Sequence, residues 1–369
     1  IVTKSKSRDT KQQRKYSVMV ERLIEDYGYN EDSAEEIIKF DLGDVELLSG
    51  EKLTSAVLVA KTWGRLSAAR DNVIVLPTYY TGTHEGYAPL VGPGNVFDTN
   101  RYFVVSPNLF GNGLSTSPSN AIDSNSGPRF PQVDVYDNVL CQHRLLTERF
   151  DVTDIQLVAG WSMGAIQAFH WAVAFPDLVR RILPWCGSAR CSPHNQVFLA
   201  GVKAALAADP VYADGHYDVP PEAGLKAFGR VYCGWAYSQS FFREALWREL
   251  GFETLDDLLS FWETDHLEWD ANDLLAKLRT WHTADVGKWS FLDGGYEQAL
   301  SSIKSQAIVM PSRTDLYFPP EDSVVEVGHM SYAEVRVIDS VWGHCAGGPG
   351  REDAAMSQLA CAVKDLLAR

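Results

Sequence analysis

The segment from Leu157 to Ala165 contains the residues best suited to covalent chemistry. It reads Leu-Val-Ala-Gly-Trp-Ser-Met-Gly-Ala, so Ser162 stands in a GxSxG pentad. An apolar run precedes the serine and a helical pattern follows it; a tight turn between strand and helix projects a serine hydroxyl and tolerates only glycine nearby. We therefore predict that Ser162 is a nucleophile. The alternative is a glycine-rich turn with an incidental serine.

A serine nucleophile needs a base, and that base needs a carboxylate to fix its tautomer. In enzymes with this turn, the acid and then the histidine follow the serine along the chain. Asp315 comes directly after the seventh apolar run, and His344 lies in a loop after the eighth. We predict that these two residues are the acid and the base. Asp339 is the alternative acid, but it lies five residues before His344, which is too close to reach the imidazole from the neighbouring strand end.

Acyl transfer also needs hydrogen-bond donors for the oxygen that becomes negatively charged. The backbone N–H of Met163, the residue after the nucleophile, is predicted to be one donor. The second is expected in the turn after the third apolar run, with the Tyr80 N–H preferred and that of Tyr79 in reserve. His84 follows in the same loop and is predicted either to contact substrate or to be a plain surface residue.

The elements that must position these residues are eight short β-rich runs. They cover residues 44–48, 53–62, 72–77, 102–106, 155–160, 181–185, 306–311 and 334–339. The first two are joined by a hairpin turn at Ser49-Gly50, and the later runs are apolar throughout and separated by long connections. This pattern predicts an α/β protein whose mostly parallel sheet is covered by helices on both faces.

The longest interval between strands predicts an inserted helical cap. Residues 187–300 hold six of the eleven tryptophans among acidic helical segments, which is typical of an insertion with a small core of its own. The predicted organisation is a basic N-terminal extension at 1–40, read as a mobile arm, a core formed by 41–186 and 301–369, and a cap at 187–300. An independent second domain is the alternative for the insertion.

Composition excludes several classes of protein. The chain has 369 residues, a formal net charge of −15 and 46% hydrophobic residues, which favours a large core and argues against partners such as nucleic acid or a membrane surface. No run reaches the length of about 18 apolar residues that spans a bilayer. Six cysteines without a CxxC pair predict free thiols and a cytoplasmic location. No histidine has metal-site spacing, so we expect no metal.

Several ordered motifs resemble the homoserine O-acetyltransferase family of the α/β-hydrolase superfamily, from about residue 40 to the C-terminus. They are KTWGRL at 61–66, GPG at 92–94, DTNRYFVV at 98–105, NLFG at 108–111, STSPS at 115–119, FPQV at 130–133, GWSMG at 160–164, WDANDLL at 269–275 and GH at 343–344. The resemblance implies an α/β-hydrolase fold with an eight-stranded sheet. It also implies the same Ser162, Asp315 and His344 triad and a homodimer joined through cap helices.

Four departures from the family pattern converge on the acceptor pocket. Trp161 and Ala165 replace glycines of the elbow, and Thr78–Gly82 differs from the His-x-Leu-Thr-Gly of the family. Lys203 stands where the family has the arginine of its amino-acid carboxylate site, and the segment 345–348 reads Cys-Ala-Gly-Gly instead of Asp-Ala-Phe-Leu. Trp161, His84, Lys203 and Tyr79 are therefore the predicted substrate contacts.

These observations favour hydrolysis of a medium-sized ester, for example a secondary metabolite, through an acyl-enzyme. One alternative is O-acylation of a small alcohol such as homoserine, in which acetyl-CoA enters only as acyl donor and no cofactor is needed. A second alternative, of another class, is a non-catalytic binding or scaffold protein.

Overall fold

The computed structural model describes residues 35–122, 124–288 and 295–369. The predicted arm at 1–40 lies outside these residues except for its last six positions, which belong to the first strand. The strands are β1 (Glu35–Glu46), β2 (Lys52–Trp63), β3 (Val73–Val75), β4 (Val91–Gly92), β5 (Phe97–Asp98), β6 (Phe103–Pro107), β7 (Ile155–Trp161), β8 (Arg181–Trp185), β9 (Gln306–Val309) and β10 (Ala333–Val335). The α-helices are α1 (Val135–Arg144), α2 (Met163–Ala174), α3 (Pro193–Ala207), α4 (Glu222–Ala236), α5 (Gln239–Arg243), α6 (Leu255–Leu267), α7 (Ala271–His282), α8 (Gly295–Ser302), α9 (Pro320–Gly328) and α10 (Asp353–Leu367).

One eight-stranded sheet organises the unit from Glu36 to Arg369, and its spatial order is β1-β2-β6-β3-β7-β8-β9-β10. The β2–β6 pair is antiparallel, and the pairs from β6 through β3, β7, β8 and β9 to β10 are parallel. The predicted fold class, an α/β-hydrolase fold with an eight-stranded mostly parallel sheet, is confirmed. All eight predicted runs contribute a strand to this sheet.

The first strand differs most from its prediction, because it begins at Glu35 instead of residue 44. Ile38 and Leu42 are buried on alternate positions among charged neighbours, which is the pattern of a strand with one buried face. The turn that follows is as predicted, with the Gly50 N–H donating to Leu47 O and Gly50 at φ +81°. The two-residue strands β4 and β5 form a separate small sheet that the sequence pattern did not indicate.

Helices α3 to α7 follow β8 and supply most of the predicted cap. Its aromatic side chains pack together, as shown by Phe198 against Tyr232 at 5.2 Å between ring centroids. The same two rings also contact Tyr317, at 4.8 and 5.7 Å, in the loop after β9. The cap core is thus continuous with the core beneath it. The predicted boundary at residue 300 falls within α8.

Within the described ranges, the helices are all too short or too polar to cross a bilayer. Five cysteines are buried and Cys361 is exposed, and all six are free thiols.

Candidate active site

Ser162 lies at the turn from β7 into α2, with φ +58° and ψ −122°. This conformation is strained for a residue with a side chain and is typical of a functional turn. The neighbouring glycines permit it: a Cβ on Gly160 would lie 2.4 Å from the Gly164 carbonyl carbon, and one on Gly164 would lie 2.5 Å from Pro77 O. The GxSxG pattern is therefore a steric requirement of this turn.

The structure brings the predicted acid, base and nucleophile into one hydrogen-bonded chain. His344 Nδ1 lies 2.8 Å from Asp315 Oδ2, and His344 Nε2 lies 3.0 Å from Ser162 Oγ. An ionised carboxylate only accepts hydrogen bonds, so Nδ1 must carry the imidazole proton and Nε2 is left as the acceptor of the serine hydroxyl proton. All three side chains are buried. The arrangement can deprotonate Ser162 as the hydroxyl attacks.

Asp315 is held in place by the backbone that follows it. Its Oδ1 accepts hydrogen bonds from the N–H groups of Tyr317 (2.8 Å) and Phe318 (3.2 Å), which leaves Oδ2 for His344. Asp339, the alternative acid, points away to Arg313, whose Nε lies 2.6 Å from its Oδ1, and its side chain is 79% exposed. The geometry therefore favours Asp315 over Asp339.

Aromatic rings surround the His344 imidazole, with Phe318 tilted against it at 5.6 Å between centroids. Trp161 stacks on it at 5.0 Å between centroids and 23° between planes, and Tyr317 meets it edge-on at 4.9 Å. The Trp161 indole N–H also donates to the His344 carbonyl at 3.3 Å. An electron-rich ring face favours the imidazolium that forms when His344 takes the serine proton. Trp161 thus has a direct contact with the predicted base.

The predicted oxyanion donors lie at the start of α2 and in the loop after β3, and Gln167 of α2 joins this helix to that loop. Its Nε2 donates to Thr78 O at 2.8 Å and to Met163 O at 3.1 Å. Met163 is the first residue of α2, so its N–H has no acceptor within the helix. The Tyr80 hydroxyl donates to Leu274 O at 2.8 Å, which fixes the other loop against α7. The role of these two N–H groups stays a prediction.

A cavity of about 210 Å³ opens beside the serine and the histidine. Of the predicted substrate contacts, Tyr79 and Trp161 border it, as does Tyr80. Cap residues complete its wall, among them Tyr232 from α4 and Trp262 from α6. The cap therefore covers the site, and most of the wall is aromatic.

The other two predicted substrate contacts lie elsewhere. Lys203 is exposed on α3 and does not border the cavity. His84 is buried beneath the loop, where its Nδ1 lies 2.7 Å from Asn108 Nδ2 and burial lowers its pKa to about 4. A neutral, buried imidazole that accepts from an asparagine serves packing. The position on the loop suggested substrate contact because a sequence does not reveal which way the side chain turns.

Sequence reasoning missed the charged groups of the cavity. Arg351 and Asp265 both border it, one from the loop before α10 and one from α6. Neither belongs to a motif, and each stands among many charged residues of ordinary appearance. The only sequence signal for Arg351 was the unusual glycine content of 347–350, directly after the predicted base.

The described residues contain one group of possible metal ligands, Cys186, Asp315 and His344, whose ligand atoms lie within 4.8 Å of one another. Two of these groups are already hydrogen-bonded to each other. Burial raises the pKa of the Cys186 thiol well above its usual range, so this thiol stays protonated, whereas metal binding needs a thiolate. The chemistry of this set fits proton transfer better than metal binding.

Comparison with known proteins shows clear relatives. The profile of the alpha/beta hydrolase fold matches residues 71–209, and that of the PrkA serine protein kinase C-terminal domain matches residues 1–40, which include none of the site. A probable esterase of Corynebacterium glutamicum is 35% identical over 308 residues, which are 82% of this chain and 88% of that protein. A homoserine O-acetyltransferase of Symbiobacterium thermophilum is 32% identical and covers 81% of this chain and 87% of its own length.

A solved structure shares the fold as well. The structure of an acetyl esterase superposes with a TM-score of 0.88 at 32% identity, over 92% of this chain and 99% of that one. The comparisons thus include both hydrolases and an acetyltransferase.

Proposed function

The chain belongs to the α/β-hydrolase superfamily, within the family that contains esterases and homoserine O-acetyltransferases, and we propose that it hydrolyses small esters through an acyl group on Ser162. The observation that carries this proposal is the hydrogen-bonded chain from Asp315 through His344 to Ser162 beside a cap-covered cavity. A chain of this order is the arrangement by which a serine hydroxyl is activated for attack on a carbonyl carbon.

In the first half of the proposed reaction, Ser162 Oγ bonds to the ester carbonyl carbon while His344 Nε2 takes the hydroxyl proton. The carbonyl oxygen becomes an oxyanion, for which the Met163 and Tyr80 N–H groups are the proposed donors. The bond to the alkoxy oxygen then breaks, and the imidazolium gives its proton to the departing alcohol. Asp315 holds the imidazole and stabilises its charge without taking the proton.

In the second half, water replaces the alcohol. His344 removes a proton from water as its oxygen bonds to the acyl carbon, and the same proton returns to Ser162 Oγ when the ester bond to the enzyme breaks. The products are a carboxylic acid and free enzyme. The ester, one water molecule and the residues of the chain complete this balance, so the proposal includes neither metal nor cofactor.

The cavity supports a small acyl group. Its 210 Å³ is below the range of about 300–1,000 Å³ that is usual for sites of drug-sized ligands. The Trp161 and Tyr79 rings, which meet edge to face with centroids 4.7 Å apart, fill space beside the serine. Where Trp161 stands, the homoserine-acetylating members have glycine. We therefore favour acetate-sized acyl groups over the medium-sized substrate that the sequence suggested.

Hydrolysis is favoured over acyl transfer to an amino acid because the residue in the expected carboxylate-binding position, Lys203, lies away from the cavity. The similarity to a probable esterase and to an acetyl esterase supports the same preference. Because the chain is also similar to a homoserine O-acetyltransferase, acetyl transfer from acetyl-CoA to a small alcohol is the second candidate function.

The test compares two reactions with the same protein. We expect acid release from short acetate esters in buffer alone, and no such release by Ser162→Ala. Acetyl-CoA would then be offered with and without a panel of small alcohols that includes homoserine. Release of CoA that requires an alcohol, together with negligible ester hydrolysis, would replace the hydrolase proposal with the transferase. Binding of esters without turnover would favour the non-catalytic alternative.

We also propose a homodimer in the cytoplasm. Exposed apolar side chains on two cap helices, Val197 (68%) on α3 and Leu255 (44%) on α6, support protein contacts through the cap. The free thiols support a reducing compartment. Light scattering on the purified protein is expected to give twice the mass of one chain, and a monomeric mass at micromolar concentration would exclude the dimer.

A further inference from the structure

Arg351 borders the same cavity as Ser162 and His344 but has no acidic partner there among the described residues. Among the described residues, its side chain makes one hydrogen-bond contact, from Nη1 to Cys345 Sγ at 3.7 Å, and a thiol sulfur is a weak acceptor. Across residues 35–122, 124–288 and 295–369, no carboxylate oxygen lies within 4.0 Å of this guanidinium, whereas Arg144 and Arg336 each pair with one or more. The guanidinium therefore keeps its planar set of donors available to a molecule in the cavity.

The room for this side chain comes from glycine. A Cβ on Gly348 would lie 2.5 Å from Arg351 Cδ and 3.0 Å from its Nε, so the arginine side chain crosses directly over the glycine backbone. A Cβ on Gly347 would lie 2.5 Å from Cys186 Sγ and 2.9 Å from the Trp161 ring. Where homoserine-acetylating members carry Phe-Leu, Gly347 leaves room for Trp161 and Cys186, and Gly348 leaves room for the arginine side chain.

A second replacement removes a carboxylate that could pair directly with the guanidinium. The residue after His344 is Cys345, at the position where those family members have aspartate. Its sulfur lies 3.7 Å from Arg351 Nη1, so a carboxylate at that position would be within reach of an ion pair. Burial raises the pKa of the Cys345 thiol, which therefore stays neutral.

Asp265 is an acidic residue that borders the same cavity as Arg351. Its Oδ2 lies 3.4 Å from His266 Nδ1, and its side chain is 45% exposed; Arg351 is exposed as well, so water screens the attraction between the two charges. The Asp265 carboxylate lies more than 4.0 Å from the Arg351 guanidinium, so the two do not form an ion pair. Among the described residues, Arg351 is thus a cation on the cavity wall, next to Cys345, that has no ion-pair partner.

We propose that Arg351 is a specificity-determining residue that binds a carboxylate carried by the ester substrate, a few bonds from the ester carbonyl. The proposal rests on the proposed function. A guanidinium matches a carboxylate with two parallel hydrogen bonds, which favours this ligand over a neutral group of the same shape. Aromatic side chains border the same cavity as Arg351 and Ser162, which suits a short apolar linker in such a substrate.

The first test needs no variant. The value of kcat/KM for 3-acetoxypropanoate, with its carboxylate on the alcohol part, is compared with that for 3-acetoxypropanamide, its neutral isostere. Monoethyl succinate against its carboxamide places the carboxylate on the acyl part instead. We expect a preference of about tenfold or more for the carboxylate in one of the two arms, the size given by one charge-assisted interaction. Equal rates in both arms would overturn the proposal.

Variants then assign the preference to Arg351. Arg351→Met is expected to abolish the preference while the neutral esters are still hydrolysed, and Arg351→Lys to keep only part of it. The matched control is Arg248→Met, which removes an exposed arginine of the cap that does not border the cavity. A preference that survives Arg351→Met would also overturn the proposal.

A binding experiment separates this inference from the proposed function. Ser162→Ala cannot form the acyl-enzyme, so calorimetry with 3-acetoxypropanoate measures recognition alone. Binding that weakens about tenfold when Arg351→Met is added supports the carboxylate site, whatever the rate of turnover. Equal binding by both variants counts against the site even if hydrolysis is confirmed.

Discussion

Replacement of Asp315 by asparagine tests the proposed proton path at its most constrained point. The backbone N–H groups of Tyr317 and Phe318 require an acceptor at one side-chain atom, at 2.8 and 3.2 Å. The amide oxygen of the new asparagine side chain must therefore occupy that position, and its NH₂ group then faces His344 Nδ1. That nitrogen becomes an acceptor, so Nε2 carries the proton and can no longer accept from Ser162 Oγ.

The size of the loss follows from the cost of turning the amide round. The productive orientation would leave two buried N–H groups without an acceptor, at about 1–3 kcal/mol each, or about 2–6 kcal/mol together. Since about 1.4 kcal/mol is a factor of ten, the productive form falls to between about one part in 30 and one part in 10⁴. We expect kcat/KM for a small acetate ester to fall by a factor in this range.

The assay is steady-state ester hydrolysis, with thermal unfolding as a check that Asp315→Asn remains folded. Asp339→Asn is the matched control, because Asp339 is exposed and pairs only with Arg313 at the surface. Its activity is expected to stay within about twofold, since exposed ion pairs contribute only about 0–1 kcal/mol. If Asp315→Asn keeps a third or more of the activity, or if the control loses as much, the reasoning is refuted.

Gly160→Ala is expected to lower the free energy of unfolding in urea by more than about 2 kcal/mol, because the new Cβ would lie 2.4 Å from the Gly164 backbone. Its control, Gly201→Ala, has open space around it in α3 and should raise the free energy of unfolding by about 0.5–1 kcal/mol. Similar values for both variants would contradict the steric argument. Lys277→Met should stabilise the protein, because the buried Lys277 amine has no hydrogen-bond partner among the described residues and its contact with the Trp269 ring at 3.8 Å offsets only part of the cost of burial. Burial lowers the pKa of Lys277 to about 7, below its unfolded value, so the wild type becomes more stable as pH rises above 7. The gain in stability from Lys277→Met should therefore be larger at pH 6 than at pH 9. A gain that does not change with pH would argue against titration of this amine. Trp161→Gly removes the ring stacked 5.0 Å from His344, so kcat for acetate esters should fall. The space that the ring leaves should raise the ratio of butanoate to acetate hydrolysis. An unchanged ratio would show that Trp161 does not limit the acyl pocket.

The strands and the order of the three reactive residues were predictable from sequence because local patterns determine them. Apolar runs such as that before Ser162 are buried on both faces of a parallel sheet, and the steric needs of the turn fix the glycines around the serine. Parallel strands end at one sheet edge, which brings Asp315 and His344 there from distant positions in the chain. Their contact then follows from topology.

What could not be predicted depends on side-chain direction and on contacts between distant segments. His84 turns into the core toward Asn108, and Lys203 turns to solvent, although both lie on elements near the site. Arg351 borders the cavity with its side chain passing close over Gly348. None of these directions is encoded in hydrophobic periodicity. The early start of β1 has another cause. The alternation of buried and exposed residues begins at Ile38, within the segment predicted to be the basic N-terminal extension.

Labelling by a fluorophosphonate tests the central claim most directly, because this reagent reacts with a serine oxygen only when a base activates it. The account predicts one phosphonyl group per chain, located on Ser162 by peptide mapping, and little or no labelling of Ser162→Ala or His344→Ala. Labelling of another residue, or labelling of Ser162 at the wild-type rate in His344→Ala, would contradict it.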